Sequence, residues 1–501
     1  MSNSYKDATI EEVGETLENA WKAFREYRLI TIKEKAIFLR TIAKELELKS
    51  SELITTARTE THLEEVRLKT ELKRTLFQLT SYAEACEEGS WLEVKINTVE
   101  QSIANSQQPT IPPDLRKILI PLGPVVVFGA SNFPFAYSTA GGDTACALAA
   151  GCPVIVKAHP AHAATSELAA EAVKTAAEKC GLPKGVFAHL YGASFATGKA
   201  LVQHPLTSAV GFTGSFEGGK ALFDLANQRL VPIPVFAEMG SVNPVFILPG
   251  KLREDKTAIA TMLAVSITQS AGQFCTNPGI LVGIEDEVLN EFKSLLSGQI
   301  HKVRPAKMLH ERIAKSFHRK RQRTLAEEGV TVAGLTEFEA AEDESIPTLA
   351  EVKANLFLKN PLLHKEVFGP FSLLVICKNL DEMHQVALAI EGQLTCSLMA
   401  TEKEVGKNMV LLELLKDKCG RFVLNGVPTG VEVVRAMHHG GPFPATTDSR
   451  FTAVGADGIK RFARPICFQN WPDKLLPVEL RNENALGLWR MVNNKLTREK
   501  I

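Results

Sequence analysis

A chain of 501 residues exceeds what one hydrophobic core organises, so at least two domains are expected and a peptide module is excluded. An apolar share of 45% and a charged share of 23% sit at globular averages, which excludes global disorder. Lys+Arg and Asp+Glu both number 57, so the formal net charge is 0; no long-range field draws nucleic acid or an anionic membrane, and any partner is recognised locally.

The opening, MSNSYKDATIEEVGETLENAWKAF, lacks a basic stretch followed by an apolar one, and no run approaches the ~18 uncharged apolar residues of a membrane span. The 9 cysteines are scattered without a CxxC pair, which favours a reducing compartment and at most one special thiol. A cytoplasmic location is expected. Up to about residue 90, charged positions interleave with Leu, Ile and Ala at helical spacing, predicting amphipathic helices over 31–46, 50–68 and 71–86. Over 91–124 the pattern turns to short β-type runs around a polar, Pro-containing stretch at 105–113, which suits a hairpin or flap. Between 123 and 238, strands at 125–128, 154–157, 186–191, 209–212 and 234–238 alternate with Ala-rich helices, one from about Ser138, one over 165–180 and one from Phe216. That alternation predicts a doubly wound α/β unit with a parallel sheet. A helix over 256–270, strands at 279–283 and 371–377, a helix over 380–390 and a strand at 421–424 predict a second α/β unit after about 239.

Several short segments carry chemistry. GQFCT places Cys275 in a polar, Gly-flanked segment before Pro278, poised for partial exposure; the residues leave open a nucleophile or a buried structural thiol. SNFP follows the strand VVVFGA and opens a helix, so Asn132 either offers its amide to a developing oxyanion or caps the helix. GFTGS is another strand end, glycine turn and helix start whose N–H groups attract phosphate, without the spacing of the usual dinucleotide fingerprint. FAEMGS sets Glu238 at a strand end in apolar surroundings, where desolvation is expected to raise its pKa toward general-base range. HKEVFGP and AMHHGGPFPATTDSR are Gly/Pro-rich loops; the paired His438 and His439 hint at metal, but no further ligand stands at a usual spacing, and no metal is expected.

SNFP, VIVK, GFTGS, EMGS, GQFC and KEVFGP, in that order, resemble the NAD(P)-dependent aldehyde dehydrogenases from about Ala36 to about Leu480. KAHPAH, FAEMGSVNP, AGQFCTNPG and VPTGVEVVRAMHHGGPFPATTDSR with RFARPICFQ resemble the branch of α-ketoglutaric semialdehyde (2,5-dioxopentanoate) dehydrogenases and an NADP-linked fatty aldehyde dehydrogenase. The resemblance implies a Rossmann-like cofactor domain (1–93, 118–238, 446–461), a catalytic α/β domain (239–445), and an oligomerisation arm with a C-terminal tail (94–117, 462–501) building a homodimer. It further implies Cys275 as nucleophile, Glu238 as general base, and Asn132 with the Cys275 N–H as oxyanion hole. Lys157 would contact the adenosine ribose, Gly214 and Ser215 the pyrophosphate, and Glu366 the nicotinamide ribose with Phe368 against it. Many NAD-preferring relatives carry a Glu three residues after the strand-end lysine, where this chain has Pro160. The NADP-linked fatty aldehyde enzyme carries an arginine where this chain has Phe195. NADP or NAD is therefore expected, with Lys157 and the missing carboxylate tilting toward NADP.

The expected substrate is a small-molecule aldehyde, 2,5-dioxopentanoate first and a fatty aldehyde as the alternative. Tyr137 and Ala140, on a helix expected after Asn132, would line the tunnel. Arg67, Glu71, Arg74 and Gln78, at spacings of 4, 3 and 4, share a helix face on which Arg74 could clamp a carboxylate, or which is merely solvated. His439 matches a branch histidine near the thiol, tuning Cys275 or lining the pocket. An acylating enzyme passing its thioester to coenzyme A usually lacks the carboxylate at Glu238, and a noncatalytic scaffold protein would have no reason to keep Cys275, Glu238 and Asn132 together.

Overall fold

The computed structural model describes residues 5–99 and 113–501. Most of the predicted polar turn at 105–113 lies outside the described residues. Helices Ile10–Tyr27 and Ile32–Leu48 each start with a Thr capping box, Thr9 with Glu12 and Thr31 with Glu34, which satisfies first-turn N–H groups that have no helical acceptor. The single helix expected over 50–68 is instead broken: Ser50–Thr61 stops at His62, which turns left-handed (φ 58°), and Glu65–Glu88 begins beyond Leu63. Gly89, also left-handed at φ 73°, ends that second helix as only glycine does at little cost.

Among the described residues three sheets form the frame. The first is all-parallel, in the order Phe187–Leu190, Val154–Lys157, Val125–Phe128, Ala209–Thr213, Val235–Glu238. Val125–Phe128 is buried along its whole length, as expected of a strand covered by helices on both faces. From this central strand the chain winds outward in both directions, so the carboxyl ends of Val125–Phe128 and Ala209–Thr213 flank a topological switch point, the usual ligand crevice of such sheets.

The second sheet has seven strands, ordered Thr331–Leu335, Thr348–Lys353, Phe371–Cys377, Ile280–Ile284, Val245–Ile247, Gln393–Met399, Cys419–Leu424. Only its edge strand Thr331–Leu335 runs antiparallel to its neighbour. Four of its strands, at 245–247, 331–335, 348–353 and 393–399, are not singled out by sequence patterning. The third sheet orders Ala463–Gln469, Leu115–Pro121, Lys95–Asn97, Arg490–Val492 and Lys495–Thr497, joining the segment after the helical lead-in to the C-terminal tail.

One local expectation fails in a way that matters for the site. No helix starts at Ser138: residues after Asn132 form a compact turn, and the helix is Gly142–Ala150. Ala130 N–H donates to Tyr137 O and Gly142 N–H to Ala136 O, closing the turn on itself. Gly141 has no room for a Cβ, which would fall 2.5 Å from Ala136 O. Tyr137 therefore sits on a turn, and Ala140 is buried within it.

Candidate active site

The first sheet delivers its candidate residues at one edge. Asn132 follows the strand Val125–Phe128, Lys157 ends Val154–Lys157, Gly214 and Ser215 follow Ala209–Thr213, and Glu238 ends Val235–Glu238. The second sheet faces them with its opposite ends, since Cys275 precedes Ile280–Ile284 and Glu366 precedes Phe371–Cys377.

Cys275 stands beyond the helix Pro249–Thr268, after three consecutive left-handed residues, Ser270, Ala271 and Gly272, that reverse the chain. Asn243, itself left-handed at φ 42°, fixes this loop: its Nδ2 donates to Cys275 O at 2.8 Å and to Asn277 O at 3.0 Å. Asn132 is 7% exposed and donates its amide to Gln273 O at 3.1 Å, which ties the SNFP turn to the thiol loop; an amide has a second hydrogen for another acceptor.

His439 joins the thiol to the carboxylate. Its Nε2 lies 3.0 Å from Glu238 Oε1 and 3.8 Å from Cys275 Sγ, and ligand atoms of all three residues lie within 4.8 Å of one another. Sequence spacing could not show this grouping, because Glu238 and His439 are 201 residues apart. The trio could in principle hold a soft cation, but its buried acid, base and thiol are also the parts of a nucleophilic site.

The charges depart from expectation. Burial does push the Glu238 carboxyl up, but the charge of His439 and hydrogen bonds from His439 and Cys275 outweigh it, so Glu238 is held below the usual carboxylate range. The raised pKa expected for Glu238 is thus corrected: apolar strand neighbours count for less than one buried histidine. Burial first, and the Glu238 charge second, push the Cys275 thiol well above its ordinary value, so the resting residue is a thiol whose proton must pass to a neighbour.

Cys275 opens onto a cavity of about 820 Å³ lined by Arg67, Arg74, Phe133, Tyr137, Phe274 and Val431, among others. The helix face with Arg67, Glu71, Arg74 and Gln78 lies inward: Glu71 and Gln78 are buried, and both arginines line the cavity. Arg74 Nη2 donates to Tyr137 Oη and to Val431 O, each at 3.3 Å. Its guanidinium carbon lies 5.2 Å from the Tyr137 ring centroid, and that ring is 6.2 Å from His439. Arg67 and Glu71, which sequence reasoning did not assign to the site, clamp the Asn132 turn. Arg67 Nη2 donates to Asn132 O at 2.7 Å, while Glu71 Oε1 accepts from Phe135 and Ala136 N–H at 2.8 and 3.0 Å. That these residues share one face was legible; that the face lies inward, bonded to a backbone some 65 residues away, was not.

The other predicted residues line the rim. Ser215 caps the helix Phe216–Asn227, its Oγ accepting from Gly218 N–H at 3.2 Å, and Gly214 N–H donates to Glu238 O at 3.0 Å. Glu366 lies against Gly240, whose added Cβ would meet its Oε2 at 2.6 Å, and burial pushes its carboxyl up to about 7. It borders a second cavity of about 590 Å³, with Glu217, Lys320 and Phe443. Phe368 stands beside Glu366 in the same loop. Lys157 touches none of the thiol group.

The aldehyde dehydrogenase family model matches residues 2–444. The chain belongs to the aldehyde dehydrogenase family. It is an oxidoreductase of that family, 45% identical over 486 residues to alpha-ketoglutaric semialdehyde dehydrogenase 2 of Azospirillum brasilense, covering 97% of this chain and 91% of the relative. It is 41% identical over 494 residues to alpha-ketoglutaric semialdehyde dehydrogenase of Acinetobacter baylyi, with 98% and 93% covered. Solved aldehyde dehydrogenase folds superpose at lower identity. One is glyceraldehyde-3-phosphate dehydrogenase GapN from Methanocaldococcus jannaschii, complexed with NADP (TM-score 0.77, 19% identity, 93% of this chain and 95% of that one). Another is proline utilization A from Bdellovibrio bacteriovorus (TM-score 0.77, 19% identity), where 92% of this chain spans only 46% of the longer protein. Among the described residues no helix is long and apolar enough to cross a membrane.

Proposed function

We propose that this enzyme oxidises 2,5-dioxopentanoate to 2-oxoglutarate with NADP or NAD. The observation that carries the reading is one cavity holding both Cys275 and Arg74, in a chain 45% and 41% identical to two alpha-ketoglutaric semialdehyde dehydrogenases over nearly its whole length. Cys275 adds through sulfur to the aldehyde carbon once its proton has passed to His439. Asn132 and the Cys275 N–H hold the resulting oxyanion. A nicotinamide dinucleotide, when bound, accepts the hydride that leaves this carbon. Glu238 then deprotonates the water that hydrolyses the thioester, releasing the carboxylate and restoring the thiol.

The rim residues suit such a cofactor: a largely buried Lys157 without an ion pair among the described residues, the Gly214–Ser215 turn, and Glu366 with Phe368. Under this reading the first parallel sheet belongs to the cofactor domain and the seven-stranded sheet to the catalytic domain.

Arg74 is positioned to hold the α-keto acid end. Its Nη2 is anchored on Tyr137 and Val431, and the residue lines the cavity. Arg74→Ala is expected to cost about 1.5 to 3 kcal/mol in kcat/KM for 2,5-dioxopentanoate, the scale of a charged hydrogen bond, and to leave an uncharged aldehyde nearly untouched. Equal losses for both substrates would remove Arg74 from the binding site. The apolar lining of the same cavity, Val66, Phe77, Phe133 and Phe274, supports the second reading, a longer alkanal.

We also propose a homodimer built by the third sheet, whose strand Ala463–Gln469 is a sheet edge with several exposed residues that a second copy would cover. Light scattering at micromolar concentration should give twice the chain mass; a monomer contradicts it.

A further inference from the structure

The first described residues run along the edge of the parallel sheet. Ala8 N–H donates to Tyr191 O at 2.9 Å, and the Tyr5 ring stacks on Tyr191 with centroids 4.5 Å apart. Asp7 is thereby held over the start of the helix Phe195–Gln203. Its Oδ1 accepts from Ala193 N–H at 2.7 Å and its Oδ2 from Ser194 N–H at 2.9 Å. A hydrogen bond from the Ser194 side chain, followed by these two backbone bonds, keeps the carboxyl below its ordinary range, so a fixed negative charge fills a helix end that would otherwise attract a phosphate.

Lys157 pairs with Leu190, the neighbour of the Tyr191 that receives the Ala8 bond, which sets it on the same sheet edge as the Asp7 segment. It ends the strand paired with Phe187–Leu190 and forms no ion pair among the described residues; Asp7 is the acid whose field it feels. A largely buried lysine left without a close carboxylate at the carboxyl end of a parallel strand points to a ligand's oxygens. Around it, Pro160 supplies no carboxylate and Phe195, 62% exposed, presents a ring rather than a guanidinium.

We propose that Asp7, carried in by the N-terminal segment, selects NAD over NADP: its carboxylate accepts from the ribose 2′-hydroxyl beside Lys157 and repels a 2′-phosphate. The proposal rests on the reading that Lys157 meets the adenosine ribose. A carboxylate offers about four lone-pair sites, and the two backbone bonds with the Ser194 hydroxyl take three, which leaves one for a charge-assisted bond from a ribose hydroxyl. A phosphate monoester brings roughly −1.5 to −2 charges at neutral pH against a carboxylate that cannot move away without uncapping the helix. The missing glutamate three residues after Lys157 is thus replaced from a different part of the chain, which reverses the tilt toward NADP that the local motif suggests.

The test is kcat/KM for NAD and for NADP with one aldehyde, in the full chain and in Asp7→Asn, Asp7→Ala and Lys157→Ala. Asp7→Asn keeps one oxygen for the helix cap and removes the charge together with one of the two acceptors. The parent enzyme should prefer NAD. Asp7→Asn should raise kcat/KM for NADP about five- to tenfold, the scale of unit charges a few ångström apart in a watery dielectric, without a matching gain for NAD. That gain should shrink as salt rises and the Debye length falls. Asp7→Ala should move the ratio in the same direction. A ratio unchanged in both Asp7 variants, or equal changes for both cofactors as a purely structural cap would give, overturns the proposal. Lys157→Ala separates the two layers. If it raises KM for both cofactors while the Asp7 ratio stays flat, only the Asp7 proposal falls; if it alters neither KM, the ribose placement falls and the proposal with it.

Discussion

Cys275→Ala is expected to abolish aldehyde oxidation and the pre-steady-state burst of reduced cofactor together, a loss of roughly 10⁴-fold or more in kcat. The other thiols cannot substitute. Of the remaining cysteines, Cys86, Cys146, Cys152, Cys377 and Cys396 are buried in the cores, and none of the eight lines the cavity. Stopped-flow absorbance of the reduced nicotinamide checks both phases in one experiment, and substantial turnover by the variant would remove the covalent route.

Glu238→Gln is expected to behave differently, keeping the burst and losing steady turnover by about 10²- to 10⁴-fold, because only hydrolysis of the thioester needs the base. The geometry gives this variant a second possible outcome worth reading. Glu238 touches His439 at 3.0 Å and also takes a hydrogen bond from the Cys275 thiol, so it stands between the two steps. Loss of the burst as well would assign Glu238 to activating the thiol. The pH dependence points the same way. Glu238 is held low and stays ionised at neutral pH, whereas the thiol is held high, so a burst limited by thiol ionisation should quicken as pH rises.

The strand-end residues were legible because their placement follows from alternation alone. Asn132, Lys157, Gly214 and Glu238 each close a short apolar run, and a parallel sheet sets all such ends on one edge. The joint order of SNFP, GFTGS, EMGS and GQFC carried the family. Long-range side-chain partnerships were not legible. His439 is put near the thiol only by its match to a branch histidine, and its contact with Glu238 appears only in the fold. Glu71 looks like a solvated helix position until its carboxylate meets the N–H groups of Phe135 and Ala136. The missing helix at Ser138 has a local cause: Gly141 N–H is taken by Ser138 O and Gly142 N–H by Ala136 O, closing a turn in which Gly141 has no room for a side chain. The Glu238 pKa was misjudged for a related reason, since desolvation is visible in neighbouring residues and a charge partner 201 positions away is not.

The Cys275 cavity is proposed to take a short aldehyde ending in an α-keto acid. The most direct measurement is kcat/KM, followed by cofactor reduction, for 2,5-dioxopentanoate, succinic semialdehyde, glutaraldehyde and a long alkanal, each with and without coenzyme A. 2,5-Dioxopentanoate should give the highest value, with 2-oxoglutarate formed and no dependence on coenzyme A. A long alkanal outperforming it would contradict the substrate, and a requirement for coenzyme A would contradict hydrolysis by Glu238.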